Sequence, residues 1–115
     1  MASNCLFCRI AAGDIPSTAV YSDEDVYAFR DINPAAPQHI LVIPRKHIQS
    51  LAEVEDEDAP MLGRMLRSAR TIAEQQGFAQ TGFRSVFNTG VDGGQTVGHL
   101  HLHLLAGRAL HWPPG

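Results

Sequence analysis

What the chain lacks narrows its class first. Its apolar stretches are short: the one at Ile40–Ile43 runs for only four residues. A membrane-spanning helix needs about 20, so no membrane partner is expected. No basic segment followed by an apolar stretch and a small-residue cleavage site opens the chain, which makes the cytoplasm the expected location. Basic runs are also missing. Arg45 and Lys46 form only a local pair and the formal net charge is −3, so the electrostatic footprint of a nucleic-acid-polymer binder is lacking. A mononucleotide needs no such patch, because backbone N–H groups and imidazoles can hold one phosphate. Cysteine is scarce as well. The two present, Cys5 and Cys8, form a C-x-x-C pair, and without a secretion signal that spacing suggests metal or redox chemistry rather than a structural staple.

What is present describes one globular domain. At 115 residues, 44% hydrophobic and 18% charged, the chain can bury a core but has no length for a second domain. Asn4 to Ala12 reads as a short helix with Leu6, Phe7 and Ile10 inward, ended by Gly13. Val20-Tyr21 and Val26 to Phe29 read as strands around a polar turn, and His39 to Ile43 as a central strand. The acidic stretch Glu53 to Asp58 and Pro60 mark a helix start. Leu62, Met65, Leu66, Ala69, Ile72 and Ala73 then recur at helical spacing until Gly77. Phe83 to Asn88 and His99 to Leu105 are the last two strands, joined by a Gly/Asp loop from Thr89 to Gly94. The expected fold class is α+β, a five-stranded antiparallel sheet with one long and one short helix.

Three of six histidines lie in His99-Leu100-His101-Leu102-His103-Leu104-Leu105. On a strand the leucines face the core and the three imidazoles share the other face. One alternative is a strand whose polar face merely happens to carry histidines. Another is a catalytic metal site, but the outer imidazoles would be about 13 Å apart along a strand, too far to share one ion. The third reading makes an imidazole the nucleophile, with its neighbours orienting it and protonating a leaving group. The preceding loop, Asn88-Thr89-Gly90-Val91-Asp92-Gly93-Gly94-Gln95-Thr96, favours this reading. Its glycines admit close backbone approach, and its amide and hydroxyl groups suit phosphate oxygens.

These residues resemble the histidine-triad family, whose motif alternates three histidines with apolar residues and ends on two apolar positions. Phe29-Arg30-Asp31-Ile32, Ala36 to Pro44, Asn88, Gly93 to Val97 and the ending His111-Trp112-Pro113-Pro114-Gly115 are similar to its Hint branch. The resemblance implies hydrolysis of purine nucleoside 5′-phosphoramidates through a covalent nucleotidyl-histidine. His101 would be the nucleophile, His103 would assist the leaving group, and His39 would complete the hydrogen-bond network. Asn88, Gly94, Gln95 and Thr96 would hold the α-phosphate and Asp31 the ribose. Phe7, Ile10, Phe29 and Ile32 would wall the purine, although their residue types alone read as core. Gly98 replaces a bulkier residue often found before the triad. Cys5, Cys8, His47 and His99 would hold a structural zinc that the chemistry does not need. Dinucleoside polyphosphate hydrolysis and a nucleotide-binding adaptor role are the alternatives. A homodimer is expected, because a small sheet has edges to protect. The stiff tail with Trp112 is expected beside the partner's active site.

Overall fold

The strands of this chain are too short and too apolar to be stable singly, and pairing buries them. The computed structural model describes residues 4–115. It contains β1 (Ala19–Ser22), β2 (Val26–Arg30), β3 (Gln38–Pro44), β4 (Arg84–Phe87) and β5 (Leu102–Ala106). They form one antiparallel sheet in the order β1-β2-β3-β5-β4. β3, in the middle, is buried from His39 to Pro44. This is the expected fold.

Both faces of the sheet are covered. Helix α2 (Ala59–Gln76) lays Met65, Ala69, Ile72 and Ala73 on Ile40, Val42, Leu100, Leu102 and Leu104 to make the main core. Helix α1 (Leu6–Ala11) lays Phe7 and Ile10 on Phe29, Leu41 and Ile43 of the opposite face. No helix among the described residues is long and apolar enough to cross a membrane.

Several boundaries differ from the sequence expectations. Leu6 is 46% exposed rather than inward, because a six-residue helix buries only one edge, Phe7 and Ile10, three positions apart. Leu66 is also half-exposed; the buried face of α2 runs through Met65, Ser68, Ala69 and Ile72, and Leu66 lies on its flank. The acidic stretch before α2 forms two 3₁₀ turns, Leu51–Glu53 and Asp56–Asp58, instead of the helix itself. Asp58 anchors the second turn by accepting from Lys46 Nζ at 2.7 Å and the Glu55 N–H at 3.0 Å. The glycine loop folds into a single turn, α3 (Gly90–Gly93), closed by Gly94 at φ 79°.

The fifth strand differs most. Its ladder begins at Leu102, where β3 and β4 pair with it from both sides, and not at His99. Beyond Leu102 β4 has ended and β3, though it continues to Pro44 against β2, no longer pairs with this segment; the Leu100 N–H donates instead to the Ile48 carbonyl at 2.7 Å. The expected alternation persists across this boundary: Leu100, Leu102 and Leu104 enter the main core, while His99 and His101 pack edge-on to Phe7 on the opposite face.

Candidate active site and metal centre

Sheet register assembles the site. Paired residues in an antiparallel ladder share a face. His39 pairs with Leu105, and Leu41 with His103. Arg84 also pairs with Leu105, and Val86 with His103. All of these therefore stand on the face away from α2. His103 lies with its ring centroid 4.9 Å from that of His101 and 5.1 Å from that of His39.

Backbone partners decide where the protons sit on these rings. His101 Nδ1 is 2.6 Å from the His99 carbonyl. A carbonyl can only accept, so Nδ1 carries the proton, and the neutral ring keeps its lone pair on Nε2. His39 is set the opposite way, because the Ala35 N–H donates to its Nδ1 at 2.9 Å. Its Nε2 then bears the proton and donates to His103 Nδ1 at 2.9 Å, which leaves His103 with an Nε2–H. Arg108 Nη2 holds the carbonyl of the same Ala35 at 2.9 Å. Asp31 Oδ2 stands 3.5 Å from His39 Nε2, and its other oxygen accepts the Asn33 N–H. Burial lowers the His39 pKa against the pull of Asp31. Burial, reinforced by His101 and His39, lowers His103 to about 4. Asp31, His39 and His103 lie close enough together to frame a cation. The Ala35 contact argues against one, since a metal at Nε2 of a neutral His39 would need that proton moved to an Nδ1 already facing an N–H.

Two clefts flank the histidines. The first, about 450 Å³, is lined by Phe7, Ile10, Phe29, Asp31, Ile32 and Thr96, all expected at the nucleotide. Phe7, Ile10 and Phe29 are at most 7% exposed and belong to the core as well, whereas Ile32 is 91% exposed at the rim. The second, about 500 Å³, is lined by His39, His103 and Asn88 together with Arg84, Pro114 and Gly115. The tail thus lies beside this chain's own His39–His103 pair, where the sequence reading places it at a partner's site. Trp112 is 80% exposed.

Gln95, expected at the α-phosphate, is hydrogen-bonded within its own loop and to Gln49. Its Nε2 donates to the Gln49 and Val97 carbonyls, both at 2.9 Å, and its Oε1 accepts the Gly90 N–H. With its amide engaged, Gln95 shapes the loop. Gly98 leaves room for Gln49, whose Nε2 would lie 2.5 Å from any Cβ placed there. Sequence reasoning missed Arg84 and Arg108. The two-residue spacing of Arg84, Val86 and Asn88 was a usable signal for the first; Arg108 acts across 73 positions and left none.

Cys5, Cys8, His47 and His99 converge on the other side of α1, with one ligand atom from each within 4.8 Å of the others. His99 Nδ1 is 3.3 Å from Cys5 Sγ and 3.4 Å from Cys8 Sγ, and His47 Nδ1 is 3.3 Å from Cys8 Sγ. Tetrahedral zinc holds sulfur and nitrogen ligands about 3.5 Å apart, so the donor set fits. The tautomer fits too: His99 Nε2 donates to the Pro44 carbonyl at 2.9 Å, which leaves the Nδ1 lone pair facing the thiols. Burial, then Cys5 alongside, pushes the Cys8 thiol up to about 11.

Three imidazoles alternating with leucines along the segment that leads into β5 mark a histidine-triad protein, and the chain belongs to the histidine-triad (HIT) family. Residues 4–111 match the family model described as "Scavenger mRNA decapping enzyme C-term binding". Among solved structures, a HIT family hydrolase from Legionella pneumophila is 51% identical with a TM-score of 0.95, covering 97% of this chain and 100% of that one. The 14 kDa zinc-binding protein of Zea mays is 48% identical, with 98% of this chain and 89% of that protein aligned. Adenylylsulfatase HINT1 of Arabidopsis thaliana is 46% identical, with 98% and 78% aligned.

The buried imidazoles tie stability to pH. His103, lowered to about 4, stays neutral in the folded chain where an unfolded imidazole, near 6.5, takes up a proton, and burial shifts His39 in the same direction. Between about pH 4 and 6.5 the unfolded chain therefore binds more protons, and stability falls as pH drops through that window. The melting temperature is expected to be lower at pH 5 than at pH 7, with the difference shrinking in His103→Asn. The same slope in the variant and the parent contradicts this.

Proposed function

We propose that this chain, as a member of the Hint branch, hydrolyses purine nucleoside 5′-phosphoramidates, with His101 as the nucleophile. The observation that carries this reading is the contact of His101 Nδ1 with the His99 carbonyl, which leaves the lone pair on Nε2, beside a His103 imidazole that burial holds neutral. Neutral imidazole attacks phosphorus near pH 7 without a strong base. The nucleoside lies in the cleft of Phe7, Phe29 and Ile32, with Asp31 at the ribose and Thr96 and the glycine turn at the α-phosphate. Negative phosphate oxygens oppose the burial that keeps His103 neutral, so as substrate binds His103 takes up a proton at Nδ1 and gives up the hydrogen bond it accepts from His39 Nε2.

The chemistry runs in two displacements. His101 Nε2 attacks the α-phosphorus and forms a P–N bond. The bond to the amine breaks with its electron pair on the amine nitrogen, which takes a proton from His103. Water then attacks phosphorus and gives a proton to His103, the His101–phosphorus bond breaks, and the Nε2 lone pair returns. Loss of sulfate from an adenylyl group, the reaction in the name of the Arabidopsis relative, is the same displacement with another leaving group. Turnover of an adenosine 5′-phosphoramidate is expected, faster than that of a dinucleoside polyphosphate. His101→Ala should lower it at least about 10³-fold while the variant still folds and binds the nucleotide. More than a few per cent of the parent rate in the variant, or no turnover by the parent, contradicts the assignment.

The Cys5, Cys8, His47 and His99 set is read as a structural zinc site. Four protein ligands leave no open position for chemistry, and the ion would tie α1 to the strand that carries His101. Reduced thiols suit the cytoplasm. A homodimer is read from the short open edge at β4 and from Leu66 exposed on α2. Native mass spectrometry should find two chains with two zinc ions. Cys5→Ser should lose metal and melt at lower temperature, yet keep most of its rate per folded molecule. A metal-free parent, a monomer, or a collapse of turnover in folded Cys5→Ser each contradicts its part of this reading.

A further inference from the structure

The cleft on the β4 side carries a charge that the hydrolytic site does not use. His103 lines this cleft and not the nucleoside cleft, whereas Asp31 lines only the latter. A leaving group that takes its proton from His103 therefore departs toward β4. Arg84 stands there, on the same face as Val86 and one register step from His103. Its Nη2 donates to two neutral acceptors, the carbonyls of Leu110 at 3.3 Å and His111 at 2.8 Å. No carboxylate pairs with it among the described residues: the acids in ion pairs there are held by His39, Lys46, Arg64 and Arg70. Its Nε and Nη1 donors have no protein acceptor among those residues.

A half-buried guanidinium without a counter-ion, fixed by its own chain at one nitrogen and open at the others, is built to take a carboxylate or another planar oxyanion. Lysine would hold neither the tail carbonyls nor the ligand with that fork. The other side chains lining the cleft are neutral: the imidazoles of His39 and His103, the Asn88 amide, and the apolar Val86 and Leu105. The one anionic group in the lining is the terminal carboxylate of Gly115, which makes no ion pair with Arg84.

We propose that Arg84 reads a negative charge on the leaving group. The preferred substrates are then nucleoside 5′-phosphoramidates whose amine belongs to an amino acid with a free carboxylate. This deepens the hydrolytic reading above and rests on it. The bonds made and broken are unchanged: the amine nitrogen keeps the P–N electron pair and takes the proton, and the carboxylate stays ionised against Arg84 throughout.

The test compares adenosine 5′-phosphoramidates of glycine, β-alanine and 4-aminobutyrate with those of the corresponding carboxamides. The three lengths allow for the unknown reach to the guanidinium. The readout is the ratio of kcat/KM for acid over amide at each length, which cancels differences in folded fraction and general damage to the tail. Charge-assisted hydrogen bonds of this kind predict a largest ratio of roughly ten- to a hundredfold in the parent. Arg84→Gln should reduce that ratio at least fivefold, and Arg84→Lys, which keeps the charge, should retain more of it than Gln does. A ratio below tenfold at every length, or one that Arg84→Gln reduces less than fivefold, overturns the proposal while leaving the hydrolytic reading in place. No turnover of any member removes the hydrolytic reading and this one with it.

Discussion

The contact from the His101 imidazole to the carbonyl of His99, 2.6 Å long, links residues two positions apart and fixes how this face presents its nitrogens. An imidazole in water exchanges its proton between two nitrogens, and either one can face a substrate. Here the backbone decides. The same is true of His39, which receives the Ala35 N–H, and of His99, which donates to the Pro44 carbonyl. Each of these backbone groups is available because a strand ends or has not yet begun where it sits. Pro44 closes β3, Ala35 precedes it, and His99 lies above the β5 ladder. The irregular margin of the sheet is therefore the part that sets the tautomers, and the regular part holds that margin in place.

One alternating strand supports two separate tasks on the same face. His99 turns its free nitrogen toward the thiols of Cys5 and Cys8, while His103 lines the cleft on the β4 side and His101 is buried between them. Phe7 lies between, edge-on to both His99 and His101 at ring separations of 6.1 and 5.2 Å. Through it α1 serves both as packing in the second hydrophobic cluster and as a wall of the cleft that Asp31 and Thr96 line. The leucines of the same strand meanwhile bind the sheet to α2. Substituting one would open the main core, at a cost of roughly 2–5 kcal/mol, and would shift the histidines with it.

How much of this was legible in the sequence depended on how local the determining interaction is. The alternation of His99 to Leu105 reports which face each side chain takes, and it remains true even where the ladder stops. The spacing along α2 likewise located a core face, although it placed Leu66 one flank too far inward. Register is a different quantity, because it depends on how separate segments align. The pairing of Arg84 with Leu105 follows from it, and the tail's placing of Pro114 in the cleft with this chain's own His103 likewise depends on how separate segments meet. Gln95 shows the same limit at the level of hydrogen bonds: its residue type suits a phosphate, but its donors are taken by carbonyls, one of them 46 positions away. The zinc-type cluster was readable only through the family resemblance, since Cys5 and His99 are 94 positions apart.

The claim on which the rest stands is that the His99 carbonyl fixes the His101 tautomer, with the proton on Nδ1 and the lone pair on Nε2, and nitrogen-15 NMR of the imidazoles measures this directly. In uniformly labelled protein at pH 7, His101 should show a protonated Nδ1 and an unprotonated Nε2, with the reverse assignment for His39 and His103. A proton found on His101 Nε2 instead would contradict the account.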